Sequence, residues 1–208
     1  MNAVSRCDSL KEVVIPRGVE EIGNGAFCCN KNLEKVVVPN TVKKIDNAAF
    51  GQCISLKEVV LEEGLSILGT NMFSQCESLT EIIVPNTVKE LPDDIFDYCT
   101  SLEKIVLSDG LERIGERAFS KCYVLSEIVI PPNVTKIEKG AFLHCYDLKK
   151  IIFTGSAPEL EFDVEEPVFL KVVAEVYYPA NHATWNEDEI RTYRNNSKNL
   201  TWIPYEAE

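Results

Sequence analysis

The sequence predicts an α/β repeat solenoid: short parallel strands stacked coil on coil, joined by short helical or 3₁₀ turns and closed by a C-terminal cap. Three observations predict it. Leucine recurs every 23 residues, at Leu10, Leu33, Leu56, Leu79, Leu102, Leu125 and Leu148, and phenylalanine keeps the same step at Phe27, Phe50, Phe73, Phe96, Phe119 and Phe142. Branched aliphatics do so twice more, from Val19 to Val134 and from Ile22 to Ile137. Cysteine follows at Cys53, Cys76, Cys99, Cys122 and Cys145, with Cys7 in phase and Asn30 taking one turn. Independent columns in a single register identify a repeat array.

Each part of the coil has a physical reading. Leu33-Glu34-Lys35-Val36-Val37-Val38-Pro39 is rich in β-branched residues and ends in proline. It reads as a short strand with Leu33, Val36 and Val38 turned inward. Val42 and Ile45 form a second inward pair on another extended stretch. Ala49, Phe50 and Cys53 then return the chain through a helical or 3₁₀ turn. One coil cannot bury its own apolar face, but stacked copies can. Strand spacing of about 4.8 Å makes seven coils roughly 30 Å long on the strand face.

The units LKEVVIPRGVEEIGNGAF and LEKIVLSDGLERIGERAFSKC resemble the BspA-like leucine-rich repeat. The resemblance covers about residues 3–153. The tail AEVYYPANHATWNEDEI, with NLTWIPY after it, is similar to the C-terminal segment of many such proteins of gut bacteria. The resemblance implies BspA-type repeats of 23 residues in a non-enzymatic, secreted or surface-exposed bacterial protein. It also implies adhesion or contact with an extracellular or host-surface protein.

Residues 1–153 are read as the array: a half repeat at 1–9, six full repeats and the start of a seventh. Ala3 and Val4 occupy the register of Ala26 and Phe27. An uncapped first coil is expected either to continue a longer array or to pair with something. Residues 154–208 are read as the cap. Glu159 to Glu166 reads as an acidic loop, while Ala174–Pro179 and Leu200–Pro204 repeat the strand-then-proline signature and should add the final rungs. Thr184-Trp185-Asn186-Glu187 has capping-box form and predicts a helix to about Arg194. Trp185, Tyr193 and Trp202 supply the apolar area a cap needs.

The charge of −12 argues against nucleic acid and against adsorption to anionic lipid. No apolar run is long enough to insert in a membrane, and residues 1–7 hold no apolar segment of the signal-peptide kind. No cofactor is called for. The sequence has two histidines, His144 and His182, and both fall at surface positions without a triad partner. The adjacent acids Glu62-Glu63, Asp93-Asp94 and Glu165-Glu166 read as solvated turn residues. Asp163–Glu166 lacks the ligand spacing of a calcium loop, and no metal site is assigned. Column cysteines stack with parallel Cα–Cβ bonds, which disfavours disulfides and favours a reduced, buried ladder. Cys28 lies off the ladder and is the candidate for an exposed, reactive thiol.

The candidate site is the outward side of the strand face. Its charged column is Glu12, Lys35, Glu58, Glu81, Lys104, Glu127 and Lys150. Its apolar column is Val14, Val37, Val60, Ile83, Val106, Val129 and Ile152. Two readings stay open. Valine's preference for strands accounts for the aliphatics in a plain structural spacer. An apolar strip beside alternating charges is also how a protein-binding or self-association surface looks.

Overall fold

The structure, a computed structural model, describes residues 5–7 and 9–207. Ala3 and Val4, which place the half coil, lie outside the described residues. Each coil contributes a longer and a shorter strand. In chain order these are β1 Glu12–Val14 and β2 Glu21–Ile22, β3 Lys35–Val38 and β4 Lys44–Ile45, β5 Glu58–Leu61 and β6 Ile67–Leu68, β7 Glu81–Ile83 and β8 Glu90–Leu91. The series continues with β9 Lys104–Val106 and β10 Arg113–Ile114, β11 Glu127–Ile130 and β12 Lys136–Ile137, β13 Lys150–Phe153 and β14 Glu159–Leu160. The end of the chain adds β15 Ala174–Pro179, helix α1 Glu187–Asn196 and β16 Leu200–Tyr205. All pairing is parallel, and up to β14 it keeps the repeat register, as in Glu12↔Lys35 and Lys35↔Glu58.

The coil thus has three faces, a long sheet, a short sheet and a turn face, wrapped around one core. Leu33, Val36, Val38, Val42, Ile45 and Phe50 are all fully buried, as the period-two pattern and the stacking require. The phenylalanines form one continuous stack with centroid spacings from 5.3 to 5.8 Å. Phe169 extends it, 5.4 Å from Phe142, although the chain has by then left the 23-residue step.

The return segment is a run of separate turns rather than a helix. Gly51 N–H bonds the Ala48 carbonyl at 3.1 Å, and Cys53 N–H bonds that of Phe50 at 3.3 Å. Left-handed residues interrupt the run twice per coil. Ala48, Asn71, Asp94 and Arg117 form one such column, and Gln52, Gln75, Tyr98, Lys121 and His144 the other, all with φ between 50° and 61°. This alternation aims every second N–H at the next coil: Ala48 at Thr70 (2.8 Å), Phe50 at Met72 (3.0 Å) and Gln52 at Ser74 (2.8 Å). Those inter-coil bonds offset the cost of left-handed non-glycine backbone, about 1 kcal/mol per residue.

The cysteine ladder sits behind this face. Each column thiol donates to the phenylalanine carbonyl of the preceding coil: Cys53 to Phe27, Cys76 to Phe50, Cys99 to Phe73, Cys122 to Phe96 and Cys145 to Phe119, at 3.0–3.4 Å. Cysteine is therefore both a small apolar filler and a weak donor to a buried carbonyl. Asn30 does related work, its Nδ2 donating to the Phe27 carbonyl (2.8 Å) while its Oδ1 accepts from Cys7 N–H (2.7 Å). All eight cysteines are free. Burial pushes the Cys53 thiol up to about 12.

The long sheet is not continuous. It runs as β1-β3-β5, β7-β9 and β11-β13-β15-β16, and the short sheet as β2-β4-β6 and β8-β10-β12-β14. Among the described residues no strand pairing crosses the seams β5/β7, β9/β11 and β6/β8. Each long-face seam lies between a coil carrying Glu62 or Ser108 after its strand and a coil carrying Pro85 or Pro131 there. At Glu62 and Thr154 the N–H of that position adds a ladder bond, to Val38 (3.0 Å) and Ile130 (3.1 Å). Proline cannot make it. Pro39 stands at the same position and β1 still pairs with β3, so proline alone does not open a seam. Besides the turn-face backbone bonds, side-chain bonds link the third and fourth coils. Asn86 N–H reaches the Glu63 carboxylate at 3.0 Å, Gly64 N–H reaches Thr87 Oγ1 at 3.3 Å, and Thr87 Oγ1 donates to the Leu65 carbonyl at 2.5 Å.

Two sequence readings of the tail change. Glu159–Leu160 is a strand pairing with β12, because Leu160 fills the short-face column after Ile137. The helix cap is Asn186, whose side chain accepts from Glu189 N–H at 3.0 Å. Thr184 instead accepts from Ala157 N–H at 2.8 Å. The expected last rungs form, with β13, β15 and β16 in parallel register, and Trp185, Tyr193 and Trp202 are buried against one another beneath α1.

Candidate binding surface

Outward residues of the long face lie in file. Strand register aligns Val14 with Val37 and Val60, Ile83 with Val106, and Val129 with Ile152. Val14, Val60, Ile83, Val106 and Val129 are exposed, from 39% to 65%, and Val37 and Ile152 are half-buried. Two residues not picked out from the sequence extend the file, since Tyr177 pairs with Ile152 and Ile203 with Tyr177. Their signal was the strand-then-proline pattern carried two more rungs, hidden by the change of repeat length.

The charged file runs beside it. Lys35 pairs with Glu58 at 2.7 Å and Lys150 with Glu127 at 3.3 Å, and the Glu58 hydrogen bond raises the Lys35 pKa. Glu81 and Lys104 are register partners yet form no ion pair among the described residues. The middle of the face thus keeps one charge of each sign outside an ion pair among the described residues.

The seams open this face. The gap between β5 and β7 is a groove of about 550 Å³ lined by Val59, Val60, Leu61, Ile82 and Ile83, with Glu58 and Glu81 at its rim. The gap between β9 and β11 is a groove of about 690 Å³ lined by Ile105, Val106, Leu107, Val129 and Pro131, with Lys104 and Asp109 beside it. Either is large enough for an aromatic or aliphatic side chain from another protein. Sequence columns located the strip but not these depressions, because a missing ladder bond leaves the apolar pattern unchanged.

Elsewhere the titratable groups serve structure. His144 Nδ1 meets the Tyr146 hydroxyl at 2.5 Å, and His182 Nδ1 meets Thr184 Oγ1 at 2.9 Å. Asp94 and Glu166 hold Arg117, and Asp163 accepts from the N–H groups of Glu165 and Glu166. Among the described residues no group of three or more His, Cys, Asp or Glu is placed to hold a metal. Cys28, read from the sequence as an exposed thiol, is only partly accessible. It is half-buried against Cys29, and burial together with that neighbour pushes its pKa up to about 11.

Arg113 centres one ion-pair cluster, 2.5 Å from Glu138 and 2.8 Å from Asp93. Burial alone would raise the Glu138 pKa, but hydrogen bonds and charge from Arg113 and Lys136 hold it below the usual carboxylate range. A carboxyl depressed on folding contributes stability above its unfolded pKa, and that contribution is lost as pH falls through the folded value. The urea midpoint is therefore expected to fall more steeply with acidification, between about pH 6 and pH 3, in the native protein than in Glu138→Gln. Equal slopes would remove Glu138 from the account.

The geometry fits one family of repeats, and the match confirms it: the BspA type leucine-rich repeat region is found in six copies across residues 1–103 and 44–164. The chain belongs to the BspA-type leucine-rich-repeat family. A leucine-rich cell surface protein from Faecalibacterium prausnitzii A2-165 is 28% identical and superposes with a TM-score of 0.69, over 82% of this chain and 55% of its own. This BspA-type chain thus spans about half the length of that relative. A leucine-rich-repeat protein of T. pallidum, 22% identical with a TM-score of 0.55 over 94% of this chain and 87% of its own, shares the fold. No curated protein matches the chain. Among the described residues no helix is long and apolar enough to cross a membrane.

Proposed function

We propose that this chain is a non-enzymatic, adhesion-type module of a bacterial surface or secreted protein, binding an extracellular or host-surface protein on the long-sheet face. The observation that carries this reading is the outward apolar file running into two grooves of mixed apolar and polar lining, with Glu81 and Lys104 between them outside any ion pair among the described residues. Apolar anchor pockets ringed by polar groups are where protein interfaces concentrate their energy. The mixed charge suits a protein better than a uniformly charged polymer. Membership of a family typical of surface proteins supports an extracellular setting.

The test is binding of the purified chain to a panel of extracellular-matrix and epithelial surface proteins, beside the variant Val60→Lys, Ile83→Lys, Val106→Lys. Circular dichroism and sedimentation first establish that both fold and whether either self-associates. If the native chain binds one protein, the variant is expected to bind it at least about a hundredfold more weakly, since each buried anchor is worth on the order of 1–2 kcal/mol. Equal binding would move the site off this face. Failure of the native chain to bind any protein would favour a structural spacer.

A further inference from the structure

We infer that Cys28 and Cys29 are a reversible modification site, a vicinal dithiol that closes to a disulfide between neighbouring residues when it meets a small-molecule disulfide. This inference is independent of the binding reading. Its basis is the placement of the two sulfurs, 3.0 Å apart and both only half-buried. The five ladder thiols are fully buried, each with its S–H engaged by a phenylalanine carbonyl. Access and proximity therefore single out one pair among the eight cysteines. Cys7 is also half-buried, but its sulfur turns to the Ser5 carbonyl, 3.9 Å away.

The repeat places the pair on the turn face. Cys29 stands in the left-handed column of Gln52, Gln75 and His144, whose side chains leave the core, and Cys28 stands where later coils carry Gly51 and Ser74. The left-handed turn at Cys29, with φ of 61°, swings its sulfur onto that of Cys28. Bond formation asks the sulfurs to approach by about 1 Å, to the disulfide length of about 2.05 Å.

The reaction balances as an exchange. One thiolate of the pair attacks a sulfur of the small disulfide, forming a mixed disulfide and releasing one small thiolate. The neighbouring thiol loses its proton and attacks the protein sulfur of that mixed disulfide, and the second small thiolate leaves. Two protein thiols are oxidised, the small disulfide is reduced to two thiols, and the two protons end on them. Adjacent Cα atoms lie about 3.8 Å apart, less than disulfides usually span, so the ring is strained and readily reduced. With Cys28 pushed up to about 11, the rate should climb with pH through the alkaline range. Closure also removes the S–H that Cys29 donates to Gln52 Oε1 at 3.3 Å, a link between the first two coils.

The test incubates the folded chain with oxidised glutathione, blocks remaining thiols after unfolding, and weighs tryptic peptides. Residues 18–31 form one such peptide, whose cysteines are Cys28 and Cys29. The expected product is that peptide lighter by two hydrogens and unblocked, with the ladder cysteines blocked, and it should revert under mild reductant. Cys29→Ser should instead carry one glutathione on Cys28. Glutathione on both thiols, a cross-link to the Cys7 peptide, or an unreacted peptide in the native chain would each overturn the inference.

Discussion

Phe96→Ala is expected to lower the stability of the array by about 3–5 kcal/mol, the usual cost of deleting a buried phenylalanine, and to split its unfolding into two steps. The ring is 1% exposed and stacks on Phe73 at 5.8 Å and Phe119 at 5.6 Å. Its position matters as much as its burial. The coils of Phe73 and Phe96 meet where both sheets lose their pairing, β5 from β7 and β6 from β8. They are joined by the ring stack, the turn-face bonds Asn71 to Asp93, Phe73 to Ile95 and Gln75 to Asp97, the Cys99 thiol on the Phe73 carbonyl, and the Glu63–Asn86, Gly64–Thr87 and Thr87–Leu65 bonds. In a repeat array cooperativity passes only through such nearest-neighbour interfaces. Removing the ring at an interface without sheet pairing should uncouple the halves. Phe50→Ala deletes an equally buried ring, but there β3 pairs with β5 and β4 with β6. It should cost a similar amount while unfolding stays a single transition. Urea unfolding followed by two probes, one on each side of the seam, makes the comparison. A single transition for Phe96→Ala would show that the seam is not a weak joint.

The contrast shows what the sequence carries and what it hides. Columns of Leu, Val, Ile and Phe are legible because burial selects residue type, and every coil repeats the selection. The outward file is legible for the same reason, being the complement of the inward one on a strand. The turn face is not. Gln52, Tyr98, Lys121 and His144 share one left-handed conformation, yet nothing in those side chains announces it, because neighbouring coils rather than local preference impose it. Seams escape for a related reason: a hydrogen bond that fails between two strands changes no residue's polarity. Only the alternation of Pro85 and Pro131 with Glu62 and Ser108 marks them, and Pro39 shows that the mark is incomplete. In the tail, Asn186 wins the cap because Thr184 is held by Ala157, a contact across 27 positions that the sequence pattern could not foresee. The close contact of Cys28 and Cys29 also depends on a backbone turn, so adjacency in sequence alone suggested one reactive thiol where the structure places a pair.

Trp202→Ala is expected to cost a comparable 3–5 kcal/mol but to act at the end of the array rather than through its middle. Trp202 is 4% exposed and lies among Tyr193 at 5.1 Å, Trp185 at 6.1 Å and Phe153 at 6.3 Å. These rings close the solenoid, covering the last inward residues of β13 and β15 beneath α1. Without Trp202 the edge strand β16 loses its inward anchor, and the helix packed on it loses its seat. Since each coil contacts only its neighbours, protection of backbone amides against exchange should fall in β15, β16 and α1 while the amides around Phe50 keep theirs. A uniform loss across the chain would mean that the cap governs the whole array. The conservative change discriminates further. Trp202 Nε1 is buried without a hydrogen-bond partner among the described residues, and an unsatisfied buried donor costs about 1–3 kcal/mol. Trp202→Phe gives up ring area but removes that donor, so it is expected to lose less than about 1 kcal/mol and to keep the exchange pattern of the native chain. If phenylalanine instead behaves like alanine, the indole nitrogen has a role that burial of the ring does not supply.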